Sequence, residues 1–137
     1  MELTDIHLGV LLITVIAIVY SDYLGLAYMR GKKETLSVSK VVLLHRFIWV
    51  GIILMILTGI VLISSSWEYW LQNPVFYIKM GFVCILIINS IFIGKLSHIA
   101  TEQSFASLET EQKSVLLLSG ALSVIGWIGS ISVSFFL

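Results

Sequence analysis

The sequence has few of the residues on which soluble and disulfide-bonded proteins depend. It contains one cysteine and one proline among 137 residues, and only 12% of the residues are charged. A lone cysteine excludes a disulfide framework or a CxxC metal site within one chain, and Cys84 is expected to be a small buried apolar residue. With 58% of the residues apolar, a soluble domain of this size could not bury them all. The composition therefore indicates an integral membrane protein.

Four apolar runs account for most of the chain. Each is about 20 residues or longer, the length at which a helix crosses a hydrocarbon core, and they cover residues 7–29, 41–64, 75–99 and 114–137. None shows the period-two alternation of a barrel strand, so the backbone must be satisfied within helices. We predict a single all-α domain, an integral membrane four-helix bundle. The opening MELTDIHLGVLL is acidic and runs into a full-length span, so we expect it to be retained rather than cleaved as a signal peptide.

Basic residues lie on one side only of the predicted bundle. The connection after the first span and the flanks of the connection after the third contain Arg30, Lys32, Lys33, Lys40, Lys95 and Lys113. On the opposite side, the segments MELTDI and SSSWEYWLQNP and the end of the chain have no lysine or arginine. Because cytoplasmic loops carry the excess of basic residues, we predict a multi-pass protein of the cell inner membrane with both termini periplasmic.

Charged residues inside the spans have a depth that follows from this topology and from the helical rise per residue. Asp22 on the first span and Arg46 on the second lie at similar heights. An arginine in a spanning helix costs roughly 3 kcal/mol and is seldom there without a partner. We therefore predict a structural ion pair between Asp22 and Arg46.

Two spans have a distinct face. On the third span, Lys79, Ser90 and Ser97 lie close to one line along the helix, so this face should look into the bundle. On the fourth, small residues recur every three or four positions, namely Ser119, Ser123, Gly126, Ser130 and Ser134. Small residues let helices approach closely in lipid, so we interpret this span as a packing helix and Trp127 on it as a filler.

The three histidines fall into two layers. His7 shares the outer layer with Lys79, and His45 shares the inner half with His98. Imidazoles on spanning helices are the usual axial ligands of b-type heme, and a basic side chain at the membrane edge suits its propionates. An outer site would use His7 as iron ligand, with Lys79 as sixth ligand or propionate partner. An inner site would use His45 as metal ligand and His98 as a further cofactor contact, with Arg46 at a propionate.

Three segments of the chain carry a family resemblance. IHLGVLLITVIAIVYSDYLGLAY, HRFIWVGIILMILTGIVL and FYIKMGFVCILIINSIFIGKL together resemble the HemJ-type protoporphyrinogen oxidases and the related copper-resistance D-type membrane proteins. In that pattern the residues tied to heme and activity fall on His7 and Lys79. The resemblance therefore implies heme b, His7 as primary iron ligand and Lys79 as a catalytic residue. The chain departs from the pattern where the second span begins, at LLHRF, and where the third begins, at VFYIKMG.

Three functions are compatible with these features. We predict a heme b-binding redox protein that oxidises a porphyrin or quinone-like substrate or transfers electrons. A small transporter would instead use Asp22, Arg46 and Lys79 as a polar path, although no broken half-helix pair is apparent. An accessory subunit of a larger membrane complex would dock through the small-residue face of the fourth span. The expected partners are the lipid bilayer and either further copies of the chain or other membrane subunits, with no nucleic acid.

Overall fold

The computed structural model describes residues 2–136, which are almost entirely helical. The four long helices are α1 (Leu3–Met29), α2 (Val38–Ser64), α4 (Pro74–Glu102) and α5 (Thr110–Ser134), and the connections contain a short helix α3 (Trp67–Gln72) and a 3-10 turn (Phe105–Ser107). Each long helix is long and apolar enough to cross a membrane, and residues 2–136 contain no strand. The predicted all-α architecture with four membrane-spanning helices is confirmed.

All four long helices begin before the apolar runs that predicted them, and α4 also ends later, because helix continues into the flanking polar sequence. Pro74 begins α4 where no amide donor is needed, and the Asn73 side chain accepts a hydrogen bond of 3.0 Å from the Val75 amide. Just beyond the end of α1, Gly31 has a φ of 78°, the left-handed conformation in which glycine commonly ends helices. α5 ends at Ser134, and residue 137, the predicted end of the fourth span, lies outside the described residues.

Two antiparallel hairpins, α1 with α2 and α4 with α5, build the bundle. Small residues hold each hairpin together: a Cβ at Gly51 of α2 would collide with Thr14 of α1, and a Cβ at Gly126 of α5 would lie 2.7 Å from Leu86 of α4. Such close packing drives helix association in lipid. Contacts between the hairpins, α1 with α5 and α2 with α4, are sparser. Space therefore remains between the two hairpins.

The small-residue face of α5 points into the bundle. Of its five residues, Ser119, Ser123, Gly126 and Ser130 are buried and Ser134 is half-buried. The interpretation of α5 as a packing helix agrees with this placement. The same burial removes the surface through which an accessory subunit was expected to dock, because that face already packs inside the molecule.

Cys84 lies on the outward surface of α4, so the expectation that it is buried is wrong. Its neighbours Ile88, Ile91 and Phe92 also face outward. On a helix surrounded by hydrocarbon, apolar residues need not turn inward, because lipid tails solvate them as well as protein does. Apolar character therefore did not predict burial here.

The loops at the basic end of the bundle, the end with the α1–α2 and α4–α5 connections, are tied together around Tyr28. This side chain is 2% exposed, its hydroxyl donates to the Gln103 carbonyl at 2.7 Å, and its ring packs edge-on against Phe105. The Leu36 amide also donates to the Ala100 carbonyl at 2.9 Å. Protein therefore closes the bundle at its basic end.

Candidate functional site

Two cavities lie between the hairpins, one nearer the chain termini and the other nearer the basic end. The first, here called the lysine cavity, is lined by His7 and Lys79 and has a volume of about 610 Å³. The second, the aspartate cavity, is lined by Asp22 and His45 and has a volume of about 760 Å³. Both volumes lie in the range of small-molecule sites. The predicted separation of His7 and His45 into two layers agrees with this arrangement.

His7 has one free ring nitrogen in the lysine cavity. Its Nδ1 lies 2.6 Å from the Thr58 hydroxyl of α2. The Thr58 hydroxyl also lies 2.7 Å from the Leu54 carbonyl, and when its single proton is donated there, its oxygen accepts the proton of Nδ1. In this tautomer Nε2 keeps its lone pair. An imidazole oriented through Nδ1–H with Nε2 free is the usual arrangement of a metal-binding histidine.

Lys79 and Ser130 add a positive charge and an unsatisfied hydroxyl to the lysine cavity. Lys79 is half-buried on α4, and no Asp or Glu within residues 2–136 lines the cavity with it. Ser130 is 7% exposed, and its hydroxyl has no hydrogen-bond partner among the described residues. Buried hydroxyls are normally paired. A cation and an unpaired donor in one apolar cavity are the groups that bind a carboxylate.

Asp22 lies beside the partition between the two cavities and is bonded to α5. Ile18 of α1 and Leu86 of α4 line both cavities and form this partition. The Asp22 Oδ2 atom accepts hydrogen bonds from the Ser123 hydroxyl at 3.0 Å and from the Trp127 indole at 3.4 Å. Trp127 itself lines the lysine cavity. It is therefore more than a filler, because it also orients the carboxylate of the aspartate cavity.

The predicted ion pair between Asp22 and Arg46 is not formed within the described residues. The donors to Asp22 come from α5, whereas Arg46 is exposed on α2 and lines neither cavity. Consecutive helix residues point in different directions, and on this part of α2 it is His45 that faces the interior. A similar height along the bundle, as predicted for this pair, therefore does not determine which helix faces meet. Arg46 consequently contacts neither candidate cofactor site.

His45 lines the aspartate cavity, but its Nε2 atom is already occupied. The Trp49 indole, one turn further along α2, donates to this nitrogen at 3.0 Å. The same nitrogen lies 3.4 Å from the position of a Cβ at Gly94 of α4, so the ring edge packs against that helix. With Nε2 accepting, a neutral imidazole carries its proton on Nδ1. The geometry gives His45 a donor to offer and no free lone pair, and so does not favour the predicted role in binding iron.

His98 stands outside both cavities. It is exposed near the end of α4 and lines neither the aspartate nor the lysine cavity, so neither cavity brings His98 together with His45. His98 directly follows Ser97, and consecutive helix residues point in different directions. Its side chain therefore lies away from the line of Ser90 and Ser97. Those two serines line the aspartate cavity, and the predicted inward face of this span is confirmed.

A buried hydrogen bond between the Asn89 amide and the Ser119 hydroxyl forms a further part of the wall of the aspartate cavity. Asn89 of α4 is 2% exposed, and its Oδ1 accepts a hydrogen bond of 2.8 Å from the Ser119 hydroxyl of α5. Ser90 and Ser97 satisfy their hydroxyls on carbonyls of their own helix. The hydroxyls of Ser90, Ser97 and Ser119 in this wall are therefore satisfied within the protein. Hydrogen-bonding capacity remains on Asp22 and His45, and also on the Asn89 side-chain NH2 and the Ser21 hydroxyl, which have no partner within residues 2–136.

Comparisons with protein-family models, with known proteins and with solved structures each found no match. Function is therefore inferred from the site itself. Five partners in the two cavities are not predicted by the sequence: Thr58 on His7, Trp49 on His45, Ser119 on Asn89, and Ser123 and Trp127 on Asp22. A signal existed for Thr58, which lies at the same depth as His7 when the two helices are aligned by the helical rise per residue.

Proposed function

We propose that this chain is a heme b-binding membrane redox protein that holds the porphyrin in the lysine cavity, with His7 as axial ligand. The proposal rests chiefly on the hydrogen bond between His7 and Thr58, which leaves the Nε2 lone pair free. The described residues contain no cluster of three His, Cys, Asp or Glu side chains that could hold a bare metal ion. A porphyrin brings its own equatorial ligands and takes only axial ones from the protein.

The shape and charge of the lysine cavity suit a porphyrin. The apolar part of its wall comes from several helices and includes Val15, Met55, Ile56, Met80 and Val83. Lys79 and Ser130 would hold a propionate, and no acidic side chain of the described part of the chain lines the cavity to repel it. Bound heme would supply one-electron chemistry. In this proposal His7 holds the iron, Thr58 fixes the His7 tautomer and Lys79 positions the anionic edge.

The basic residues support a specific orientation. We propose that the protein resides in the cell inner membrane with its basic end in the cytoplasm and both termini in the periplasm. The lysine cavity would then lie in the periplasmic half of the bilayer and the aspartate cavity in the cytoplasmic half. The two cavities would thus be accessible from different leaflets.

Single cysteines at opposite ends of the bundle test this orientation. Thr35 and Glu68 are both exposed, in the α1–α2 connection and in α3. In a Cys84→Ala background, a membrane-impermeant maleimide added to spheroplasts is expected to label Glu68→Cys at once and Thr35→Cys only after permeabilisation, because the basic loop is cytoplasmic. Labelling of both variants in sealed cells, or the reverse order, would show the orientation to be wrong.

Absorption spectroscopy tests the proposed cofactor. Protein purified in mild detergent from heme-replete cells is expected to show a Soret band that shifts and sharpens when dithionite reduces the iron. The heme content per chain should be stoichiometric when measured after extraction. Protein that shows no Soret band from such cells, and acquires none on titration with hemin, would exclude heme binding and with it the proposed function.

A further inference from the structure

The aspartate cavity opens sideways to the membrane. On its rim, Val19 and Tyr23 of α1 and Leu117 and Ile125 of α5 all have exposed side chains. At the basic end the cavity is closed, because Tyr28 and the loops bonded around it form that wall. A ligand therefore reaches this cavity from the hydrocarbon between α1 and α5. Only a molecule that partitions into lipid can take this path.

The charge of the cavity restricts the ligand further. No Lys or Arg of the described chain lines it, so it offers nothing to neutralise an anion in a low-dielectric site. Its carboxylate, Asp22, uses Oδ2 for the donors of α5, and Oδ1 has no partner within residues 2–136. His45 has its Nδ1–H free, because Nε2 accepts from Trp49. The cavity thus contains an unused acceptor on Asp22 and an unused donor on His45, with the Asn89 side-chain NH2 and the Ser21 hydroxyl as further unpaired donors in a mainly apolar wall.

We infer that the aspartate cavity binds a neutral, membrane-soluble ring bearing hydroxyl groups, of the quinol class. One hydroxyl donates to Asp22 Oδ1, and a ring oxygen accepts from His45 Nδ1–H. The apolar wall surrounds the ring, and the lateral opening accommodates a substituent that extends into the bilayer. This site is distinct from the lysine cavity and does not depend on heme being bound there.

Calorimetric titration with duroquinol tests the inference. The protein, in lipid nanodiscs and under anaerobic conditions, is titrated and the heat of empty nanodiscs is subtracted. We expect one saturable site. Asp22→Leu should weaken binding about tenfold or more, because the hydrogen bond between the ring hydroxyl and Asp22 is lost. The dimethyl ether of duroquinol, which has no hydroxyl to donate, should bind the wild-type protein more weakly by a similar factor.

A second variant tests the site without changing Asp22, because a larger side chain fills the cavity. A Cβ at Gly120, which lines the aspartate cavity, would lie 3.8 Å from its nearest neighbour, the Met29 methyl group, so a side chain can begin there without collision. Gly120→Leu should abolish saturable binding. The matched control is Gly81→Leu on α4, where a Cβ meets nothing within 4 Å and the residue lines neither cavity; it should bind duroquinol as the wild type does.

Several results would overturn the inference. One is the absence of saturable duroquinol binding to the wild-type protein, and another is unchanged affinity in Gly120→Leu. Equal affinity for the dimethyl ether would show that no hydroxyl is recognised. Saturable binding of tetraphenylphosphonium in place of duroquinol would identify Asp22 as the anchor of a lipophilic cation. The absorption spectrum of heme decides the proposed function separately, so failure of one leaves the other standing.

Discussion

Replacing His7 by Ala is expected to remove most of the Soret absorbance of the purified protein. His7 is the histidine of the lysine cavity, and its Nε2 is the imidazole nitrogen with a free lone pair there. Loss of the His7 imidazole would leave a bound porphyrin with only the propionate and apolar contacts of the cavity. Heme per chain, measured on the purified variant, should fall accordingly, while the helical content by circular dichroism stays that of the wild type.

The control substitutions separate ligation from general damage. His98→Ala changes an exposed residue outside both cavities and should retain the heme. Thr58→Val keeps the volume of the side chain but removes the hydroxyl that holds the His7 tautomer, and should lower heme affinity by roughly 10- to 100-fold, the usual effect of losing such an orienting partner. Full heme content in His7→Ala together with loss in His45→Ala would move the site to the aspartate cavity.

Gly51→Leu is expected to cause the largest loss of stability. The three heavy atoms nearest to a Cβ at this position all belong to Thr14, with Cγ2 at 2.8 Å and Cβ at 3.0 Å. Thr14 is 5% exposed and its hydroxyl is bonded to the Val10 carbonyl, so it has little freedom to move. Overpacking a fixed contact lowers the free energy of unfolding by about 1–3 kcal/mol. Because leucine is large, we expect the loss for Gly51→Leu to lie at the upper end of this range or beyond. Thermal unfolding in detergent measures the effect.

Gly81→Leu is the matched control for this prediction. It makes the same substitution in the middle of a spanning helix, but nothing lies within 4 Å of a Cβ there. Leucine favours helix over glycine by roughly 1 kcal/mol, so the melting temperature should stay the same or rise. Equal melting temperatures for the two variants would mean that α1 and α2 do not approach each other at Gly51.

Much of the fold could be predicted from the sequence because helix length and bilayer thickness are coupled. The number of spanning helices, the inward line through Lys79, Ser90 and Ser97, and the buried small face of α5 all followed from period and composition. These features depend on one helix at a time. Depth along the bundle was also predictable, and it separated His7 from His45 into the two cavities.

The partners of each polar side chain could not be predicted, because they depend on the rotation of neighbouring helices. Charge and height predict an ion pair of Asp22 with Arg46, yet Asp22 instead accepts hydrogen bonds from two neutral donors of α5. Ser123 was counted only as a small residue, and Trp127 only as a filler. Both side chains donate to Asp22 only because α1 and α5 pack together in the fold. In the sequence, Ser123 follows Asp22 by 101 positions. Periodicity carries no information about such a contact.

Trp127 belongs to both compartments at once, because its ring lines the lysine cavity while its N–H is bonded to Asp22 of the aspartate cavity. A molecule that displaced the ring on one side would break the indole hydrogen bond to Asp22 on the other and leave the Ser123 hydroxyl as the remaining donor. By thermodynamic linkage, occupancy of either compartment then changes the affinity of the other by the same factor. Trp127 is therefore the side chain through which a ligand in one cavity would raise or lower the affinity of the other cavity for its own ligand.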